Sequence, residues 1–271
     1  MTTLFLRTLK DRWLTIAIYS VASIAFLWLY VSLFPAIRDQ SAQLVELVKA
    51  YPPEFLKAFG ITDITQSFSS LGNFLSTEMY SFVVPIMLAA LAIGFASSAI
   101  AGEIERGTIE FLLAQPLSRT ALFFGKYAAG VVAMAVFAVA STLTPIPLAA
   151  AYHLSLSAAP FVHFAVITFL FGLAILSLAF LVSAIVSDKS KVSLSVSGIV
   201  ILMYVLNVVA ALKDSLDKLK YVSFFHYYSP TTVFAPGATT DWKAIGVFVG
   251  VSIVATALGA WWFGRRDIAT A

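Results

Sequence analysis

The chain has 271 residues, 60% hydrophobic and 11% charged, with a net charge of +3 and a mean hydropathy of +0.93. Soluble domains carry about a quarter charged residues, so this is the composition of an integral membrane protein, and the small net charge points to no nucleic acid partner. With no cysteine there are no disulfides, thiolate metal sites or cysteine nucleophiles, and no Gly-x-x-x-x-Gly-Lys-[Ser/Thr] run marks a nucleotide-binding loop.

A bilayer core takes about 20 apolar residues of helix. The first run to qualify covers 13–34. It is longer than the roughly 7–15 residues of a signal-peptide core, so it reads as a retained anchor. The loop 35–78 is long for a bare connection. In it Leu44, Leu47 and Val48 follow helical spacing, Pro52-Pro53 ends that pattern, and Phe55 and Phe59 could open another helix. This loop reads as a helix on the outer leaflet, or as a lid over an exit path. The second run, 79–101, carries Ser97 and Ser98.

The segment 102–119 is a charged island, with three Glu and two Arg in eighteen residues. Treated as a helix, it places Glu103, Arg106 and Glu110 on one face and Ile109, Leu112, Leu113 and Pro116 on another. Thr108 is the expected N-cap of a short helix that Pro116 ends, and Ser118 the cap of the next span. An ordinary interfacial loop is the alternative on spacing alone.

The third run covers 120–151, apolar from Tyr127 onward, with Thr142 inside it and Pro145 and Pro147 expected to kink or break its outer end. The fourth covers 161–186. A short polar loop, 187–191, leads to the fifth, 192–212, which holds Asn207. The loop 213–241 concentrates Tyr221, Phe224, Phe225, His226, Tyr227 and Tyr228, an interfacial or re-entrant composition. The sixth run, 242–264, contains the Gly246-x-x-x-Gly250 pair that permits close helix approach.

Backbone in lipid must satisfy itself, so these runs are helices, and no alternating barrel pattern occurs. The fold class is therefore an all-α polytopic membrane protein with six transmembrane helices. Ten Lys/Arg fall on the side of the N-terminus and seven on the other, which places both termini in the cytoplasm; Lys213, Lys218 and Lys220 argue the other way. No Asp, Glu, Lys or Arg lies deep in a run. A proton relay is thus unexpected, energy should come from another subunit, and an apolar or amphipathic cargo fits best. Ser97, Thr142 and Asn207 are the candidate path residues, Asn207 first, because an amide in lipid needs a partner.

The run Gly102-Glu-Ile-Glu-Arg-Gly-Thr-Ile-Glu-Phe-Leu-Leu-Ala-Gln-Pro-Leu-Ser-Arg119, followed by Gly125-Lys126, resembles the Gly-Glu-x-Glu-x-Gly-Thr-x-Glu-x-Leu-Leu-x-x-Pro-x-Ser-Arg signature of ABC-2-type permeases. The six-run layout agrees with that family along the whole chain. The resemblance implies a type V exporter-like half-transporter in the plasma membrane, with no catalytic residue and no cofactor of its own. ATP and Mg would sit on a separate ABC ATPase, present in two copies, and a second permease, identical or a paralogue, would complete the path.

It also implies that 102–119 is a coupling segment. Gly102, Glu103, Glu105, Arg106, Gly107, Thr108, Glu110, Pro116 and Arg119 would shape it or make its polar contacts. Leu112 and Leu113 would pack or anchor. Asp188 and Lys189 would make a smaller second contact, and residues 1–12 would form an interfacial connecting helix. Two other readings compete. One is a channel or scaffold not coupled to ATP. The other is an intramembrane serine protease built on Ser195-Val-Ser-Gly198 and His226, which lacks the first glycine of the Gly-x-Ser-Gly motif.

Overall fold

The computed structural model describes residues 2–49, 51–52, 64–114, 117–235 and 237–267. Among these the chain is helical, with no strand, and five helices plus one bent pair are long and apolar enough to cross a membrane. Helix α1 spans Thr2–Asp39 without interruption, so the expected connecting helix at 1–12 and the first span are one rod. No glycine or proline occurs between Thr2 and Phe34 to divide them. At about 1.5 Å per residue the rod is roughly 57 Å long, far more than a bilayer core of about 30 Å. Its first turns therefore lie outside the apolar layer.

The second span is longer than its apolar run and bent. Leu71–Leu75 leads into a π-helical turn, Ser76–Tyr80, and α2 (Val83–Ala99) follows at an angle of 46°. Pro85 contributes to this bend: four residues beyond Ser81, it has no N–H to offer the Ser81 carbonyl, and the π-helical turn widens the chain just before. Ser70 caps the first arm by accepting from the Asn73 N–H, and the Ser76 carbonyl accepts both the Ser81 N–H at 3.0 Å and the Ser81 hydroxyl at 2.7 Å. Buried Leu71, Phe74, Leu75, Met79 and Tyr80 hold the arm against the core. Glu78 consequently sits on a spanning element, although the apolar run that began at 79 left it outside.

After the charged segment, α5 (Arg119–Leu143) stops at Thr144 and Pro145 opens a new helix to Ala151, the expected proline break. Helix α6 (Ala158–Ile185) is apolar on all sides and sits at the centre of the bundle, packed by α2, α5 and the last helix, α8 (Trp242–Arg265). Helix α7 (Lys189–Leu212) buries only Val192, Val196, Val200 and Ala210, nearly a single stripe.

Glycines set the close approaches. A Cβ at Gly172 would lie 2.9 Å from Leu88, one at Gly130 3.0 Å from Leu176, and one at Gly259 3.1 Å from Phe123. Nothing lies within 4 Å of either Gly246 or Gly250, so that pair makes no close approach inside the chain. The aromatic loop folds inward rather than lying on the surface. Tyr228 meets Phe171 at 4.5 Å, and Phe234 stacks on Tyr80 at 5.8 Å. His226 rests on Tyr221 and Tyr227, and among the described residues no hydrogen bond joins it to Ser197.

Candidate functional site at the charged end of the bundle

The charged segment begins at a helix break. Ile100 leaves the helical region (φ −121°, ψ −64°), so backbone groups on either side lose their helical partners. Buried backbone groups must be paired, and two other helices supply the partners. The Lys126 ammonium of α5 donates to the Ala99 carbonyl at 2.6 Å, and the Ala101 N–H donates to the Ser183 hydroxyl of α6 at 3.0 Å.

Beyond the break, α3 (Ala101–Glu105) and α4 (Ile109–Leu113) are single turns separated by Gly107 at φ +71°. The segment is therefore not one amphipathic helix: a left-handed residue reverses the chain at its middle. The turn also redirects Thr108. Its hydroxyl makes no cap bond; it donates to the Glu103 carboxylate and to the Glu103 carbonyl at 3.2 Å. Nothing lies within 4 Å of a Cβ placed at Gly107, so its glycine is demanded by backbone conformation alone. Gly107→Ala should lower stability by about 1 kcal/mol, read as a fall in melting temperature of the purified chain.

Glu103 is the hub. Its carboxylate meets Lys126 at 3.1 Å and Arg106 at 3.8 Å, as well as the Thr108 hydroxyl. Burial alone pushes this carboxyl up, but Thr108, Lys126 and Arg106 together hold it below the ordinary glutamate value. Lys126 is only 4% exposed, so the near end of the third span contains a buried, paired cation.

Glu105 reaches sideways, accepting the Lys189 N–H at 2.8 Å. This is the first turn of α7, where Asp188 accepts the Lys191 N–H at 2.9 Å as the cap. That backbone bond and the nearby Lys191 charge keep the Asp188 carboxyl below its ordinary value. The two regions expected to serve as major and minor contacts are thus hydrogen-bonded to each other. Arg119 is turned inward: it donates to the Arg266 carbonyl, while Arg266 donates to the Ala184 carbonyl at 3.0 Å and to the Ser187 hydroxyl.

Ile109 is buried and Leu112 and Leu113 pack partly against the core, while Glu105, Arg106, Glu110 and Phe111 remain at the surface. Pro116 lies outside the described residues. Gly102 is buried and its missing Cβ leaves ordinary contact distance, 3.4 Å, to the Ser97 carbonyl. Phe111 was not singled out by spacing, yet it is 77% exposed beside Glu110. An aromatic out of phase with Ile109, Leu112 and Leu113 was the available signal. The path candidates are not brought together as a site. Buried Ser97 and Thr142 bond back to Gly94 and Ala138 of their own helices, and Asn207 is half-buried on α7.

Residues 5–268 match the family model described as "ABC-2 family transporter protein". No curated protein matches the chain.

Proposed function

The chain belongs to the ABC-2 transporter family, and from that premise we propose that it is the permease subunit of an ATP-driven exporter of amphipathic or apolar molecules. Both termini and residues 102–119 face the cytoplasm of a cell membrane. Two copies of a separate ABC ATPase, carrying ATP and Mg, dock on that face, and a second permease completes the path. This chain hydrolyses nothing itself.

The observation supporting this reading is the bonding of residues 99–105 to three spans. Lys126 ties the segment to α5, Ser183 to α6 and the Lys189 N–H to α7. A load applied at Arg106, Glu110 and Phe111 reaches those helices through short polar bonds rather than through a loose loop. Closure of the ATPases on ATP pushes this joint, and the helices respond by changing access to the path. Exposed α7, gripped by little more than one stripe, is the span freest to shift.

Co-purification tests the reading. The full chain, expressed with the ATPases of its own cell, should retain a P-loop protein whose hydrolysis rises with an amphipathic substrate. Purification of a folded chain with no ATPase, together with ion conduction in vesicles, would instead identify a channel.

A further inference from the structure

Between α1 and the charged segment lies a partly enclosed cavity of about 170 Å³. Drug-sized ligands occupy roughly 300–1,000 Å³, so this space takes a small group and not a cargo molecule. Its lining includes three cations, Arg12, Arg106 and Lys126, and two carboxylates, Asp11 and Glu103.

The carboxylates are already engaged. Glu103 is held by Lys126, Arg106 and Thr108, and Asp11 sits 3.9 Å from Arg7. Among the described residues Arg12 makes no ion pair within 4 Å; across the cavity it is repelled by Arg106 and attracted at longer range by Glu103 and Asp11. A second feature is independent of charge. Ser98 is 2% exposed and lines the same cavity, and its hydroxyl, like eight other buried polar side-chain atoms among the described residues, has no hydrogen-bond partner.

Two guanidiniums on the wall of one cavity, with a buried hydroxyl beside them, are donors that suit a tetrahedral oxyanion, since a guanidinium matches phosphate with paired N–H groups. We propose that this cavity binds a phosphate group, which bridges Arg12 of α1 to Arg106 of the charged segment. An adjoining cavity of about 280 Å³ shares Thr8, Asp11, Glu103 and Lys126 and adds Arg7 and Thr108 with Leu4, Phe111 and Leu112, a mixed polar and apolar space for the rest of a phosphate ester. Trp13, 61% exposed and next to Arg12, marks the start of the apolar run, where phospholipid headgroups lie. The site does not depend on the ATPase or on transport.

The test uses the purified full chain in non-ionic detergent, reading tryptophan fluorescence against brominated phosphatidylglycerol, brominated phosphatidylcholine and inorganic phosphate. Brominated phosphatidylglycerol should quench saturably, and Trp13→Phe should remove most of the quench. Arg12→Gln should weaken half-saturation about tenfold, the loss expected for a charge-assisted hydrogen bond. Ser98→Ala should weaken it a few-fold, and Lys10→Gln, an equal charge loss outside the cavity, should leave it unchanged. Displacement by millimolar inorganic phosphate identifies free phosphate as able to fill the site. Failure of inorganic phosphate to displace the lipid, with the Arg12 effect intact, identifies the headgroup as its source. Equal quenching by the two lipids, or equal losses in Arg12→Gln and Lys10→Gln, overturns the proposal.

Discussion

Phe111→Asp is expected to weaken retention of the ATPase by roughly 30- to 1,000-fold while leaving the melting temperature of the chain within a degree or two. The size follows from the usual cost of losing a central aromatic anchor, about 2–4 kcal/mol. The small effect on stability follows from exposure: Phe111 is 77% exposed and its removal opens no cavity. Arg106→Ala should weaken retention less, because Arg106 also contacts Glu103 and sits at the edge of the same surface. The check is a pull-down titration alongside thermal unfolding. Normal ATPase retention by Phe111→Asp would remove this residue from the joint.

Glu103→Ala is expected to act in the opposite way, through stability. Lys126 is 4% exposed and would lose its anion, and breaking a buried pair from one side costs about 3–5 kcal/mol. Glu103 is 23% exposed, so water returns part of that, and a loss of about 2–4 kcal/mol is expected. Removing both charges, in Glu103→Gln with Lys126→Met, should recover only part of the loss, because Lys126→Met also leaves the buried Ala99 carbonyl without its donor.

The pH dependence has a definite sign. Because the folded carboxyl titrates below the unfolded value, its contribution is complete above the ordinary value of 4.5 and disappears as pH falls through the lowered one. The melting temperature of the wild-type chain should therefore lose this contribution as the solution is acidified, and Glu103→Ala should lack that part of the acid response. If Glu103→Ala melts like the wild-type chain at neutral pH, Glu103 is not a strut.

These two residues also mark what could be read from the chain. Glu103 and Phe111 both fall in a segment whose charge, caps and resemblance single it out, and Ser118 caps α5 by accepting from the Ala121 N–H at 3.1 Å, as its position implies. The spans were legible because long apolar runs have one solution in lipid. The destinations of the charges were not. The Lys126–Ala99 bond joins residues 27 positions apart, and the Ala101–Ser183 bond joins residues 82 apart; no periodicity reports such pairs.

Gly107 was visible as a glycine, but helical spacing was carried through it, so Thr108 was placed as a cap when the reversal turns it onto Glu103. The bend before α2 was hidden because its proline, Pro85, lies four residues beyond Ser81 and inside the apolar run, whereas Pro145 stands at the Thr144 break itself.

The central claim is that force enters through the surface carried by α4. Because the chain has no cysteine, Phe111→Cys creates a unique thiol. Coupled to a short photo-crosslinker in the purified permease–ATPase complex, it should attach to the ATPase in high yield, with the yield changing when ATP is trapped. The same label at Leu202, exposed further along α7, should not attach. An intact complex in which Phe111→Cys crosslinks only lipid, or in which Leu202→Cys reaches the ATPase equally well, would contradict the account.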